Sequence, residues 1–98
     1  MNEVVMSKEK QNIEWKETWR DEYFKWICGF ANAQGGTLFI GKDDNGKIKH
    51  LAKAGKLLED IPNQVRDLLG LMVDVNLLTK DRNDYLEIVV EPYPFPIS

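Results

Sequence analysis

The run Gly35-Gly36-Thr37-Leu38-Phe39-Ile40-Gly41, followed at once by Asp43-Asp44-Asn45-Gly46, leaves few folds open to this chain. A glycine pair closes a helix, because glycine accepts the left-handed backbone on which helices end. Thr37 to Ile40 then reads as a short, strongly apolar strand. Asn45-Gly46 is a strong hairpin signal, so a second strand is expected over Lys47 to Leu51. Upstream, Asp21 and Glu22 supply the acidic first turn of the helix that runs to about Gln34. Helix, tight stop, strand and reversal therefore occupy the middle of the chain in that order.

The flanks complete the pattern. Ile13-Glu14-Trp15-Lys16-Glu17 alternates apolar and charged residues, so Ile13 and Trp15 point one way, Glu14 and Lys16 the other. Leu57, Leu58, Ile61, Val65, Leu68, Leu69 and Met72 recur at helical spacing, with Asp60 as the expected cap, Pro62 in the first turn and Gly70 as the stop. Val73 to Leu78 and Tyr85 to Glu91 form a last strand pair joined by the polar Thr79 to Asp84. Pro92, Pro94 and Pro96 end the sheet, since none can donate a ladder hydrogen bond. The expected order is β-α-β-β-α-β-β: an α+β two-layer sandwich, a mixed sheet with both helices on one face. Ninety-eight residues suffice for one domain, placed at 13–92. Residues 1–12 are a polar segment, irregular or weakly helical. Residues 93–98, apolar for a free tail, read as the start of a connection to a missing C-terminal part of a longer protein.

The first helix carries two apolar stripes. Phe24, Ile27, Cys28 and Ala31 should cover the sheet. Tyr23, Trp26 and Phe30 must be covered by the rest of the chain, by a missing segment or by a partner, which makes them the expected surface of a homo-oligomer. The single cysteine, Cys28, excludes an internal disulfide framework and a cysteine-rich zinc site. No apolar run approaches the ~20 residues that span a bilayer, and no signal peptide is visible. A cytoplasmic setting with no membrane partner is expected. Thirteen basic and sixteen acidic side chains give a net charge of -3, which argues against a general polyanion binder. Any nucleic-acid contact needs lysines gathered on one face.

Two passages resemble a known family. "NIEWKE" (Asn12 to Glu17) is similar to the strand that opens the Schlafen-type Alba-like domain, and "FANAQGGTLFIGKDDNGKI" (Phe30 to Ile48) looks like its central signature, with "LLEDIPNQVRDLLG" and the closing strands also fitting. The resemblance runs from Glu9 onward. It implies a DNA-binding module at the front of bacterial and archaeal transcriptional regulators, often labelled RecG-related helicases or divergent ATPases. No Walker-type loop occurs in the chain, so ATP use is not assigned to it. The nuclease branch of the family cleaves RNA with a metal-dependent carboxylate trio. That implies Glu9, Glu14 and one of Asp43 or Asp44 as ligands of Mg²⁺ or Mn²⁺, with Lys16 stabilising phosphate charge.

The residues themselves allow plainer roles. Asp43, Asp44, Asn45 and Gly46 are what a tight turn demands, and Glu14 and Lys16 suit a solvated strand edge. His50 is a lone histidine, Cys28 a buried thiol, and Trp15, Trp26 and Phe39 are core material before stacking platforms. Asn32 is positioned to brace the glycine turn. Between Lys42 and Lys56, five lysines face only Asp43 and Asp44. Phosphate contact is therefore expected from Lys16, Lys42, Lys47, Lys49 and Lys53. The leading expectation is a non-catalytic module that binds nucleic acid (DNA before RNA) and needs no cofactor. The alternatives are a Mg²⁺/Mn²⁺-dependent nuclease and an oligomerisation module.

Overall fold

The computed structural model describes residues 12–93. Glu9, most of the polar segment 1–12 and the connection beyond Tyr93 lie outside them. Strand β1 (Ile13–Lys16) leads through a single 3-10 turn (Asp21–Tyr23) into helix α1 (Phe24–Asn32), and strand β2 (Gly36–Ile40) follows the glycine stop. Helix α2 (Ala54–Leu69) precedes strands β3 (Asp74–Lys80) and β4 (Asn83–Val90). The four strands lie in the order β1-β2-β4-β3, with β1 parallel to β2 and the other pairs antiparallel. This is the expected mixed sheet with two helices.

Register decides which side chains are buried. Glu14 lies level with Leu38 and Lys16 with Ile40, while Leu38 and Ile40 stand level with Ile88 and Leu86. Leu38, Ile40, Leu86, Ile88 and Val90 are buried and share one face. The helices cover that face with Ile27, Phe30 and Ala31 from α1 and Ala54, Ile61 and Val65 from α2. Glu14 and Lys16 therefore belong to the helix-covered side, at its edge. Trp15, Phe39 and Tyr85 occupy the open side.

Three expectations change on the structure. Lys47 to Leu51 forms no strand; one isolated bridge joins Lys42 to Ile48. The reason lies in where the next amides go. The Lys49 N–H donates to the Gly41 carbonyl at 2.6 Å and the Leu51 N–H to the Asp84 carbonyl at 3.2 Å, so the segment crosses the strand ends instead of running beside one strand. Helix α2 starts at Ala54, which leaves Asp60 in its interior, paired with Lys56 at 3.2 Å, and Pro62 inside the helix. Burial of Ala54, Ile61 and Val65 outweighs the ~3 kcal/mol that an interior proline costs. Third, β3 and β4 run almost to their turn, which is only Asp81-Arg82, both with positive φ (53° and 67°) as a type I′ hairpin requires. Gly70, with φ of 70°, closes α2 as expected.

The second stripe of α1 is largely covered from within. Phe30 is in the core, Trp26 packs beside it with ring centroids 6.1 Å apart, and the Lys16 ammonium lies 5.0 Å from the Tyr23 ring and 5.4 Å from the Trp26 ring. Among the described residues, the most exposed large apolar side chains are elsewhere: Leu68 (66%) in the last turn of α2 and Met72 (76%) just beyond it. Among the described residues, no helix is long and apolar enough to cross a membrane.

Candidate nucleic-acid interface

Parallel pairing brings the C-terminal ends of β1 and β2 to one end of the sheet, where β3 also ends and β4 begins. The segment following β2 is sewn across this end. The N–H groups of Gly41 and Lys42 both donate to the Lys16 carbonyl, at 2.7 and 3.1 Å. A four-residue turn follows, closed by the Gly46 N–H on the Asp43 carbonyl (2.9 Å) and the Asp43 N–H on the Lys47 carbonyl (3.0 Å). Gly46 sits against Trp15: a β-carbon there would lie 3.3 Å from the indole ring. The front strand and the tight turn thus meet at one end of the sheet.

Asp43 is committed to that turn. Its Oδ1 accepts the N–H groups of Asn45 and Lys47, each at 2.9 Å. The Lys47 amide is the largest influence on its acidity and, with the Asn45 amide and the Lys49 and Lys47 ammoniums, outweighs partial burial, so the carboxyl titrates below the ordinary Asp value. A carboxyl depressed in the folded state adds stability above its unfolded pKa and loses it as pH falls through the folded one. The turn is therefore expected to hold at neutral pH and loosen in acid. NMR titration of the Asn45 and Lys47 amides should report this, and Asp43→Asn, which keeps an acceptor oxygen, should abolish the acid transition. Amides of Asn45 and Lys47 that ignore pH in the unsubstituted chain would contradict this account.

The expected cations divide into two kinds. Lys16 is engaged: its Nζ lies 3.4 Å from Glu14 Oε2 as well as over Tyr23 and Trp26. Lys42 folds onto the open face, 4.1 Å from the Phe39 ring centroid and 5.1 Å from that of Tyr85. Lys47, Lys49 and Lys53 are exposed and make no ion pair among the described residues. Lys47 and Lys49 flank Ile48, which forms the isolated bridge to Lys42. His50 is exposed on the same segment.

Sequence reasoning missed two further cations and one aromatic. Lys80 and Arg82 stand at the β3–β4 turn, at this same end of the sheet, and both are exposed. Their only sequence signal was a polar connection between two strands. Trp19, just beyond β1, holds a fixed place: its Nε1–H donates to Asp21 Oδ1 at 3.2 Å, and its ring meets Tyr23 and Phe24 edge-on. Cys28 and Asn32 meet each other at 3.7 Å on α1. The glycine turn is braced by Asn12, whose Nδ2 donates to the Gly35 carbonyl at 2.6 Å.

The expected carboxylate trio lies only partly within the described residues. Glu14 is paired with Lys16, Asp43 Oδ1 serves two amides, and Glu9 lies outside the described residues. Among the described residues, no three carboxylate, imidazole or thiol groups gather where one ion could touch them all.

Comparison with known proteins agrees with this architecture. Eleven solved chains match. A crystal structure of a protein from Corynebacterium diphtheriae superposes with a TM-score of 0.74 at 20% identity, over 92% of this chain and 19% of that one. A solution structure of the N-terminal domain of a DNA helicase RecG-related protein from Nitrosomonas europaea superposes with a TM-score of 0.72 at 22% identity, over 93% of this chain and 69% of that one. The chain thus spans about a fifth of the first. No curated protein sequence matches. The family model described as "Schlafen, AlbA_2" matches residues 9–96, nearly the whole length, and the chain belongs to that family.

Proposed function

We propose that the domain binds nucleic acid, DNA in the first instance, through the end of the sheet where β1, β2, the segment 41–53 and the β3–β4 turn converge. The observation that carries this reading is the gathering of Lys47, Lys49, Lys53, Lys80 and Arg82, all exposed, at one end of a chain whose net charge is -3. Family membership and a RecG-related neighbour of the same fold support it. Asp44 and Asp81 stand among these cations, so the field is mixed. Backbone attraction of this kind gives non-specific affinities of roughly 10⁻⁴ to 10⁻⁶ M. In this reading the domain is the non-catalytic, nucleic-acid-holding module of a longer, regulator-type protein in the cytoplasm. It needs no cofactor, since phosphate oxygens are met by ammonium and guanidinium groups alone.

The test is fluorescence anisotropy with 20-nucleotide DNA, single- and double-stranded, between 50 and 200 mM salt. Log K is expected to fall linearly with log salt, with a slope of about -3 for a few phosphates neutralised. Salt-independent binding, or none at 50 mM, overturns the reading. The nuclease alternative is checked in the same samples by adding Mn²⁺ and following strand length. The pairing of Glu14 with Lys16 leads us to expect intact strands, and cleavage abolished by Glu14→Gln would reverse the order of the two readings.

A further inference from the structure

At the same end of the sheet lies a cavity of about 270 Å³. Its walls come from two stretches that the fold brings together: Thr18 and Trp19, just past β1, and Leu51 to Leu57, leading into α2. Leu51 is itself buried and anchored through its N–H to Asp84. Trp19, Leu51 and Leu57 make the surface apolar and partly aromatic, and the Trp19 indole N–H is already satisfied by Asp21. Lys53 and Lys56 stand at the rim. Lys56 shares an exposed pair with Asp60, whereas Lys53 has no ion pair among the described residues.

An apolar, aromatic hollow with cations at its lip suits a flat apolar body attached to an anion. The volume lies just under the ~300 Å³ at which drug-sized pockets begin, which is room for one ring system. We infer that this cavity receives a single unstacked nucleobase of a nucleic-acid strand, held by Trp19, Leu51 and Leu57, with its phosphate at Lys53. The inference rests on the nucleic-acid reading above and deepens it. A base inside a duplex is stacked on both sides, so such a pocket selects single-stranded ends, overhangs or unpaired positions. Protein groups that stack one base favour the strand carrying it by about fivefold or more.

The experiment uses the full chain with a 12-nucleotide single strand, the blunt duplex of the same sequence, and free dAMP. Binding is read by anisotropy, and pocket occupancy by the NMR shift of the Trp19 indole N–H. The expected result is that the single strand binds at least about fivefold more tightly than the duplex and shifts the Trp19 signal. dAMP should shift it at higher concentration. Ala52→Leu fills the cavity from an exposed position and should erase the preference while duplex binding persists. Lys53→Gly removes the ammonium at a residue of left-handed conformation (φ 58°) that glycine accepts, so a weakened single-strand complex there is not loss of fold. Equal, salt-sensitive binding of single strand and duplex with an unmoved Trp19 signal overturns the pocket and leaves the nucleic-acid reading standing. No binding of either oligonucleotide removes both. A shift of Trp19 by simple fatty acids as large as that by dAMP would identify a lipid pocket instead and also overturn the inference.

Discussion

Alanine at position 36 is expected to destabilise the domain by about 3 kcal/mol, near the top of the range for overpacking. A β-carbon on Gly36 would lie 2.6 Å from the Asn12 carbonyl oxygen, 2.7 Å from Asn12 Cβ and 2.7 Å from Phe30 Cγ. None of these atoms can yield cheaply. The Asn12 carbonyl accepts the Thr37 N–H at 2.8 Å, the Asn12 side chain is bonded to Gly35, and Phe30 belongs to the core. Relief would require β1 to part from β2 at its first residue or α1 to lift from the sheet. At roughly 4–8 °C per kcal/mol, the melting temperature should fall by about 15 °C. Gly55 is the internal control: a β-carbon there meets nothing within 4 Å, so Gly55→Ala in the first turn of α2 should be neutral or stabilise by up to about 1 kcal/mol. Equal melting of Gly36→Ala and the unsubstituted chain would show that this close approach does not exist.

Reversing two charges gives the largest expected effect on binding. Lys47→Glu with Lys49→Glu should weaken DNA binding about 100-fold at 50 mM salt, at roughly 1.5 kcal/mol per charge-assisted phosphate contact. The salt slope should shrink by about 2. Neither side chain supports the fold: both are exposed, and the segment is held by backbone bonds through Gly41, Asp43 and Leu51. Melting should therefore fall only slightly, through the lost support for the Asp43 carboxylate. The same variant raises the Asp43 pKa, because Lys49 and Lys47 are among the groups that depress it. That second reading confirms the local charge change even where binding is weak. Undiminished affinity would remove these lysines from the interface.

The glycine stop, β2 and the turn after it were legible because their signals were steric, whereas the strand expected over Lys47 to Leu51 did not form. Glycine suits the backbone of Gly35 (φ 83°), where a β-carbon would also lie 2.6 Å from the Val90 carbonyl oxygen, and the turn at Asp43 to Gly46 carries its own side-chain acceptor. Strand β1 was recognisable by alternation, yet the face of Glu14 and Lys16 was not. That face follows from register against Leu38 and Ile40, a long-range fact that four residues do not encode. The start of α2 was obscured because Pro62 and Asp60 imitate a helix beginning, while the burial of Ala54 that extends the helix depends on the sheet. Lys80, Arg82 and Trp19 escaped notice for a related reason. Each acquires its place only when distant segments reach the same end of the sheet.

The two ends of the sheet differ in how much change they tolerate. At the glycine end, Asn12, Gly35, Gly36 and Val90 approach closely enough that an added methyl collides with backbone. At the other, residues 42–50 are tethered by main-chain bonds that ask nothing of most side chains. Descendants of this chain can therefore lengthen, shorten or recharge that tether at little thermodynamic expense, and divergence in target preference should accumulate there while the opposite end stays invariant.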